Sequence, residues 1–176
     1  MELAQIVNLV CSKAPWCRRE TFKSTLALAV EVAREGREGR GVGALFTLGG
    51  ADTVMASSQP LTSDPVSGHV PAETHTIVRR LRGTMKELAQ LGGVVVADDG
   101  TVVAVCRSMD APPGRIEVPL APGSRHVEAA VSSPSHVVAI VVSRNGVVRV
   151  FCNGTLLTWR RSPSQRRPRR FERSGP

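Results

Sequence analysis

The fold of this chain is decided by the stretch Val94-Val95-Val96-Ala97-Asp98-Asp99-Gly100-Thr101-Val102-Val103-Ala104-Val105-Cys106. Valine-rich runs of strand length stand on both sides of the Asp-Asp-Gly sequence. Asp and Gly tolerate the positive φ angles that tight hairpin turns require. The stretch therefore predicts two antiparallel strands, 94–97 and 101–106, that meet at this turn.

Upstream of the hairpin, helical and strand patterns alternate. Apolar residues at helical spacing predict helices over 21–34 and 74–91. Between them, the apolar run 42–48 predicts a short buried strand, and the Pro- and Ser-rich segment 55–68 predicts a loop.

Downstream of the hairpin, strands dominate. The apolar run 137–142 predicts a buried strand, Asn145-Gly146 a tight turn, and 147–151 a strand that pairs back. Together these elements predict a mixed α/β (α+β) fold, with a central mixed β-sheet flanked by helices.

A length of 176 residues fits one domain and a tail. We predict an N-terminal helical segment at 1–20, the domain at 21–159 and a disordered, Arg-rich tail at 160–176. The tail holds seven arginines and one glutamate, so six of the eight net positive charges lie there. It is either a solubilising terminus or a patch for nucleic acid or another acidic partner.

The sequence also predicts a compartment. The first ten residues lack the basic start and the apolar run of a signal peptide, and no stretch is long enough to span a bilayer. The four cysteines form no CxxC unit, which favours reduced thiols over a disulfide scaffold or a zinc site. We therefore expect a cytoplasmic protein with no membrane association.

A candidate phosphate-binding stretch is Pro122-Gly123-Ser124-Arg125-His126-Val127-Glu128-Ala129-Ala130. A Gly-Ser turn that leads into Arg, His and a helix can present backbone N–H groups and a guanidinium to a phosphate. The alternative is an ordinary helix start, with Ser124 as the N-cap and Glu128 in the first turns.

Six collinear segments, spanning about residues 20–158, resemble the diadenylate cyclase domain family. They are Ala33–Arg40 with Val42–Phe46 (AREGREGR and VGALF), Leu61–Pro65, Thr84–Ala89, Asp98-Asp99-Gly100, Gly123–His126 and Val141–Ser143. The resemblance implies that family's mixed sheet flanked by helices, in agreement with the pattern of elements.

The resemblance also implies an activity, the condensation of two ATP into cyclic di-AMP with release of two pyrophosphates. Two domains face each other, and each bound ATP attacks the α-phosphate of the other with its ribose 3′-hydroxyl. The expected partners are ATP or cyclic di-AMP and a second domain of this kind, in a homo-oligomer or with another family member. The expected cofactor of an active enzyme is Mg²⁺ or Mn²⁺ with ATP, which offsets phosphate charge.

Mapped onto this chain, the family's Asp-Gly-Ala motif falls on Gly92-Gly93-Val94, so the carboxylate expected to hold the metal is absent. Asp98 and Asp99 stand about four residues further along an extended strand, roughly 15 Å away, too far to replace it. We therefore assign no metal ligand in the protein.

The resemblance assigns the remaining site residues. Arg125 and His126 keep two members of the family's Arg-His-Arg motif and are the candidate catalytic residues, although His126 is either a general base or a structural brace of the turn. The candidate nucleotide-binding residues are Gly92, Gly93, Val94, Met109, Ser124, Arg125 and Ser143.

Three functions stay open on the sequence. The first is an active diadenylate cyclase. The second is a catalytically impaired module that keeps ATP or cyclic di-AMP binding, and it is based on the presence of Ser124 and Arg125 without an Asp at position 92. A nucleic-acid-associated protein is the third, and it depends on the tail alone.

Overall fold

The computed structural model of the chain describes residues 2–36, 40–68, 79–110 and 136–161. Within these ranges it contains four helices and seven strands. The helices are α1 (Leu3–Lys13), α2 (Arg19–Glu35), α3 (Ala51–Ala56) and α4 (Arg79–Leu88). The strands are β1 (Ala44–Leu48), β2 (Ser58–Pro60), β3 (Gly93–Val96), β4 (Val102–Met109), β5 (Val138–Val142), β6 (Val147–Cys152) and β7 (Thr155–Arg161).

The described strands form one sheet in the order β2-β4-β3-β1-β5-β6-β7. Strands β1 and β3 are parallel, and the other neighbouring strands are antiparallel. Helices pack on this sheet, so the prediction of a central mixed β-sheet flanked by helices is confirmed.

The hairpin predicted at Asp98-Asp99-Gly100 is confirmed. Strands β3 and β4 pair in antiparallel orientation on either side of it. Gly100 has a φ of 94°, and the Asp99 carboxylate accepts a hydrogen bond of 2.8 Å from the backbone N–H of Thr101. The turn therefore uses both properties that its sequence offers, a positive φ at Gly and a side-chain acceptor at Asp.

The two faces of the sheet bury separate sets of side chains. On the first face, the apolar sides of α1 and α2 pack on the sheet, where Phe22 of α2 lies in one cluster with Phe46 and Ile140. On the second face, Leu45 and Val141 form another cluster, which includes Val54 of α3. Because successive side chains of a strand point to opposite faces, Leu45 and Phe46 contribute to different clusters.

The prediction of a loop over 55–68 was wrong in its first part. The short helix α3 runs to Ala56, and Ser58–Pro60 form the edge strand β2, which pairs with the end of β4. This pairing joins Ser58 to Met109, which is distant in sequence, so no local sequence pattern predicts strand β2. Pro60, which has no N–H to donate, fits an edge strand.

Strand β7 was not predicted. Asn153 and Gly154, both with positive φ, form the turn between β6 and β7, and β7 pairs with β6 as far as Arg161. The sheet therefore extends two residues beyond the predicted domain end at 159. Residues 162–176 of the predicted tail lie outside the described residues.

Of the helix predicted over 74–91, the structure describes residues 79–91. These are helical from Arg79 to Leu88, and residues 89–91 form a turn. No described helix has both the length and the apolar character needed to cross a membrane. All four cysteines are free thiols, and burial raises the pKa of Cys17 to about 12. Cys17 is therefore protonated, and a poor nucleophile, at neutral pH.

Phe22 tests the packing of α2 on the first face, because its side chain is completely buried. We expect Phe22→Ala to lower the free energy of unfolding by about 3–5 kcal/mol, through lost burial and the cavity left behind. Leu61→Ala is the control, since Leu61 is 59% exposed and should change stability by less than about 0.5 kcal/mol. Urea unfolding followed by circular dichroism measures both, and equal effects would contradict this packing.

Candidate functional site

The register of the sheet brings residues from distant parts of the chain into one line near one end of the strands. The line crosses all seven described strands, and we call it the strand-end row. Its members, from β2 to β7, are Pro60, Arg107, Gly93, Leu45, Val141, Arg149 and Trp159. At about 4.8 Å between neighbouring strands, Gly93 and Arg149 lie roughly 14 Å apart, within the length of a nucleoside triphosphate.

Five of the predicted nucleotide-binding residues lie at or beside this row. Gly93 is a member, with Gly92 before it and Val94 after it on β3. Met109 stands at the end of β4, two residues past Arg107, and Ser143 follows β5, two residues past Val141. The structure therefore brings these five together at one end of the sheet.

Val94 and Met109 differ in which of their atoms a ligand could contact. The side chain of Val94 is buried in the first-face cluster among the helices, so only its backbone is available to the second face. Met109 lies against Gly93 on the second face, since a Cβ built on Gly93 would stand 2.6 Å from the Met109 Cε. Gly93 and Met109 are both buried. The flexible thioether of Met109 is a side chain of the kind that can pack on a purine ring.

Ser124, Arg125 and His126 lie outside the described residues, in the segment 111–135. Their assigned roles in nucleotide binding and catalysis stay predictions.

The space beside Gly92 is occupied by the backbone of β4. A Cβ built on Gly92 would lie 2.7 Å from both the Cα and the carbonyl carbon of Cys106, and 2.9 Å from the backbone N of Arg107. Cys106 has a φ of 56°, and the β3–β4 register shifts at this point. This irregularity brings β4 close to β3, so any side chain at position 92 would force β4 to move.

The described residues do not fit a protein-bound divalent cation at this end of the sheet. Mg²⁺ and Mn²⁺ require oxygen ligands, and Gly92 has no side-chain atom to offer. The described part of the chain contains no group of three or more His, Cys, Asp or Glu residues able to hold a metal ion. Asp98 and Asp99 lie at the opposite end of β3, where Asp99 caps the hairpin and the carbonyl of Asp98 accepts a hydrogen bond of 2.8 Å from Thr21 Oγ1.

Arg107 is one residue of this region that sequence reasoning missed. Its Nε donates to Ser58 Oγ at 3.1 Å, and its Nη2 donates to the carbonyl oxygens of Ser58 at 2.5 Å and Met55 at 3.3 Å. The guanidinium thereby joins β4 to the end of α3 and to β2. These hydrogen bonds hold this edge of the second face in place.

Arg149 is the other missed residue. It stands in the valine-rich strand β6, and its Nη1 donates to Ser143 Oγ at 2.9 Å. Partial burial lowers its pKa, but a guanidinium stays charged at neutral pH. A charged residue inside an apolar strand is costly without a partner, and this was the signal in the sequence that could have identified it.

Gly92→Ala tests whether β4 fills the space at position 92. We expect the free energy of unfolding to fall by roughly 1–3 kcal/mol, because overpacking forces the backbone of β4 to shift.

Gly83→Ala is the matched control, since a Cβ at this position of α4 has nothing within 4 Å. It should raise stability by about 0.5–1 kcal/mol, because Ala favours a helix over Gly. Urea unfolding measures both variants, and a stabilising effect at both positions would mean that the space beside Gly92 is open.

No family model matches the chain, but two curated relatives do. The protein named diadenylate cyclase from Methanocaldococcus jannaschii is 36% identical over 143 residues, which cover 80% of this chain and 45% of that protein. The protein of the same name from Haloferax volcanii is 30% identical over 139 residues, which cover 77% of this chain and 51% of that protein. The chain spans about half the length of these curated relatives.

A solved structure shares the fold. The crystal structure of a protein described as a hypothetical membrane spanning protein from Bacillus cereus matches with a TM-score of 0.57 at 20% identity, over 79% of this chain and 63% of that one. DacA from Staphylococcus aureus matches with a TM-score of 0.49 at 18% identity, over 82% and 87% of the two chains. The sequence identity to the two curated relatives over most of its length shows that this chain belongs to the diadenylate cyclase domain family.

Proposed function

We propose that this domain binds adenine nucleotides, ATP or cyclic di-AMP, on the second face beside the strand-end row, without efficient condensation of ATP. The observation that carries this proposal is the backbone of β4 in the space beside Gly92. A family site that had lost only the Asp side chain at position 92 would leave space there for water and a cation. In this chain the backbone of β4 occupies that space.

The nucleotide-binding half of the proposal is supported by what lies along the row. Leu45 and Val141 are fully buried in the second-face cluster, and the flexible Met109 side chain lies against Gly93 at its edge, where it can pack on a purine. Arg149 supplies positive charge further along the row. Ser124 and Arg125, as the sequence predicts, would add phosphate contacts from the segment between β4 and β5.

The catalytic half follows from the charge that the reaction develops. Condensation places negative charge on an α-phosphate and on the leaving pyrophosphate, and fixed cations must offset it in the transition state. Loss of a metal-binding carboxylate typically costs orders of magnitude in rate. We therefore infer that binding persists in this domain while turnover is lost.

An active diadenylate cyclase is the second candidate, and the names of the two curated relatives favour it. In that case two domains pair face to face, and Mg²⁺ or Mn²⁺ is held mainly by ATP. Four free thiols suit a reducing, cytoplasmic location for either candidate.

One experiment tests the proposal on the purified protein. We expect isothermal titration calorimetry to detect saturable binding of ATP, and chromatography to find no cyclic di-AMP after incubation with ATP and Mg²⁺ or Mn²⁺. Arg125→Ala should weaken ATP binding about tenfold, the effect of one charge-assisted hydrogen bond. Arg18→Ala is the control, because Arg18 is exposed at the start of α2 and should leave binding unchanged.

Absence of ATP binding in the wild-type protein would overturn the proposal. Cyclic di-AMP that forms in the wild type and disappears in Arg125→Ala would establish the active cyclase instead. Turnover that appears in Gly92→Asp would show that position 92 can still accept a carboxylate, against the crowding seen beside Cys106.

A further inference from the structure

We infer that Arg149 binds the phosphate groups of the nucleotide and does the work of the missing divalent cation, so that nucleotide binding needs no metal ion. This inference rests on the proposed nucleotide-binding function. The observation behind it is the contact between Arg149 and Ser143, the residue that the family resemblance places at the nucleotide.

The position of Arg149 directs its side chain toward the second face. Its neighbours Val148 and Val150 belong to the first-face cluster, and side chains alternate along a strand. Arg149 pairs with Val141 on β5, whereas Ser143 lies two residues further along the chain. The hydrogen bond to Ser143 Oγ therefore draws the guanidinium from the row toward the end of the strands, the same end at which Gly92 and Gly93 stand.

The electrostatics of this position favour an anion. Arg149 is partly buried, and removal of water from a cation raises its free energy, which is why its pKa is lowered. A phosphate placed against the guanidinium would add a favourable charge interaction at this partly buried position. A guanidinium also offers a planar set of N–H donors that matches two phosphate oxygens at once.

The same charge explains how a site without a protein-bound metal can hold a nucleotide. A divalent cation in such a site mainly neutralises phosphate oxygens. An arginine fixed by Ser143 can neutralise them directly and is already in place before the ligand arrives. Metal-independent binding is the consequence that separates this arrangement from that of a metal-dependent cyclase.

A purely structural role is the competing explanation, in which Arg149 only holds the turn from Ser143 to Gly146. This turn has its own backbone hydrogen bonds, from Gly146 N to the Ser143 carbonyl and from Ser143 N to the Val147 carbonyl, each 2.9 Å. A structural arginine would support binding of the whole nucleotide equally. A phosphate-binding arginine acts on ATP and leaves adenosine, which has no phosphate, unaffected.

The test compares ATP and adenosine on the full chain, by isothermal titration calorimetry with Mg²⁺ or with EDTA. We expect the wild-type Kd for ATP to agree within about twofold between the two conditions. Arg149→Met keeps the length of the side chain but removes its charge, and should raise the Kd for ATP at least about tenfold while the Kd for adenosine stays unchanged. Arg149→Lys keeps the charge without the planar donors, so its loss should be smaller.

Arg18→Met is the matched control and should bind ATP as the wild type does, because Arg18 is exposed at the N-cap of α2. If Arg149→Met fails to fold, Arg149→Lys and the wild-type comparison with EDTA still decide the question. ATP binding that requires Mg²⁺, an unchanged Kd for ATP in the Arg149 variants, or an equal loss of ATP and adenosine would each overturn this inference and leave the proposed function standing. Absence of wild-type ATP binding under both conditions would overturn both.

Discussion

The structure depends most on the pairing of β1 with two neighbours at once. All five of its residues are buried, β3 lies parallel on one side and β5 antiparallel on the other. A slip of one residue in this register would exchange Leu45 and Phe46 between the two faces and break both apolar clusters. The register is therefore tightly specified, and the positions of Gly93 and Val141 in the strand-end row follow from it.

This register also decides what the candidate site can do. It places glycine backbone, buried apolar side chains and two arginines in one line. The described residues at that end include no group of three or more potential metal ligands. The register shift between β3 and β4 at Cys106 brings the backbone of β4 against Gly92. The proposed function, nucleotide binding through fixed charge without efficient turnover, rests on these two features.

Local patterns predicted much of the fold correctly. The hairpin at 98–100, helix α2 and strands β1, β5 and β6 each carry their signal within a short window, as apolar periodicity or turn residues. Strands β2 and β7 carry weaker signals, because a three-residue edge strand and a largely exposed strand form only when a partner strand is present. The ordered motifs identified the family, since they record relations that no single window contains.

The features of the candidate site can likewise be separated into those that the sequence predicts and those that depend on tertiary contacts. By itself, the sequence determined that position 92 lacks a carboxylate and that the 98–100 turn is a hairpin, because these follow from residue identity and order. The assignment of Gly93, Met109 and Ser143 to the nucleotide came from the family resemblance and stays a prediction. Only the tertiary structure decided that Cys106 fills the space beside Gly92 and that Arg149 contacts Ser143. Both contacts arise between neighbouring strands, where the register, the bulge and the direction of each side chain are set by packing of the whole sheet.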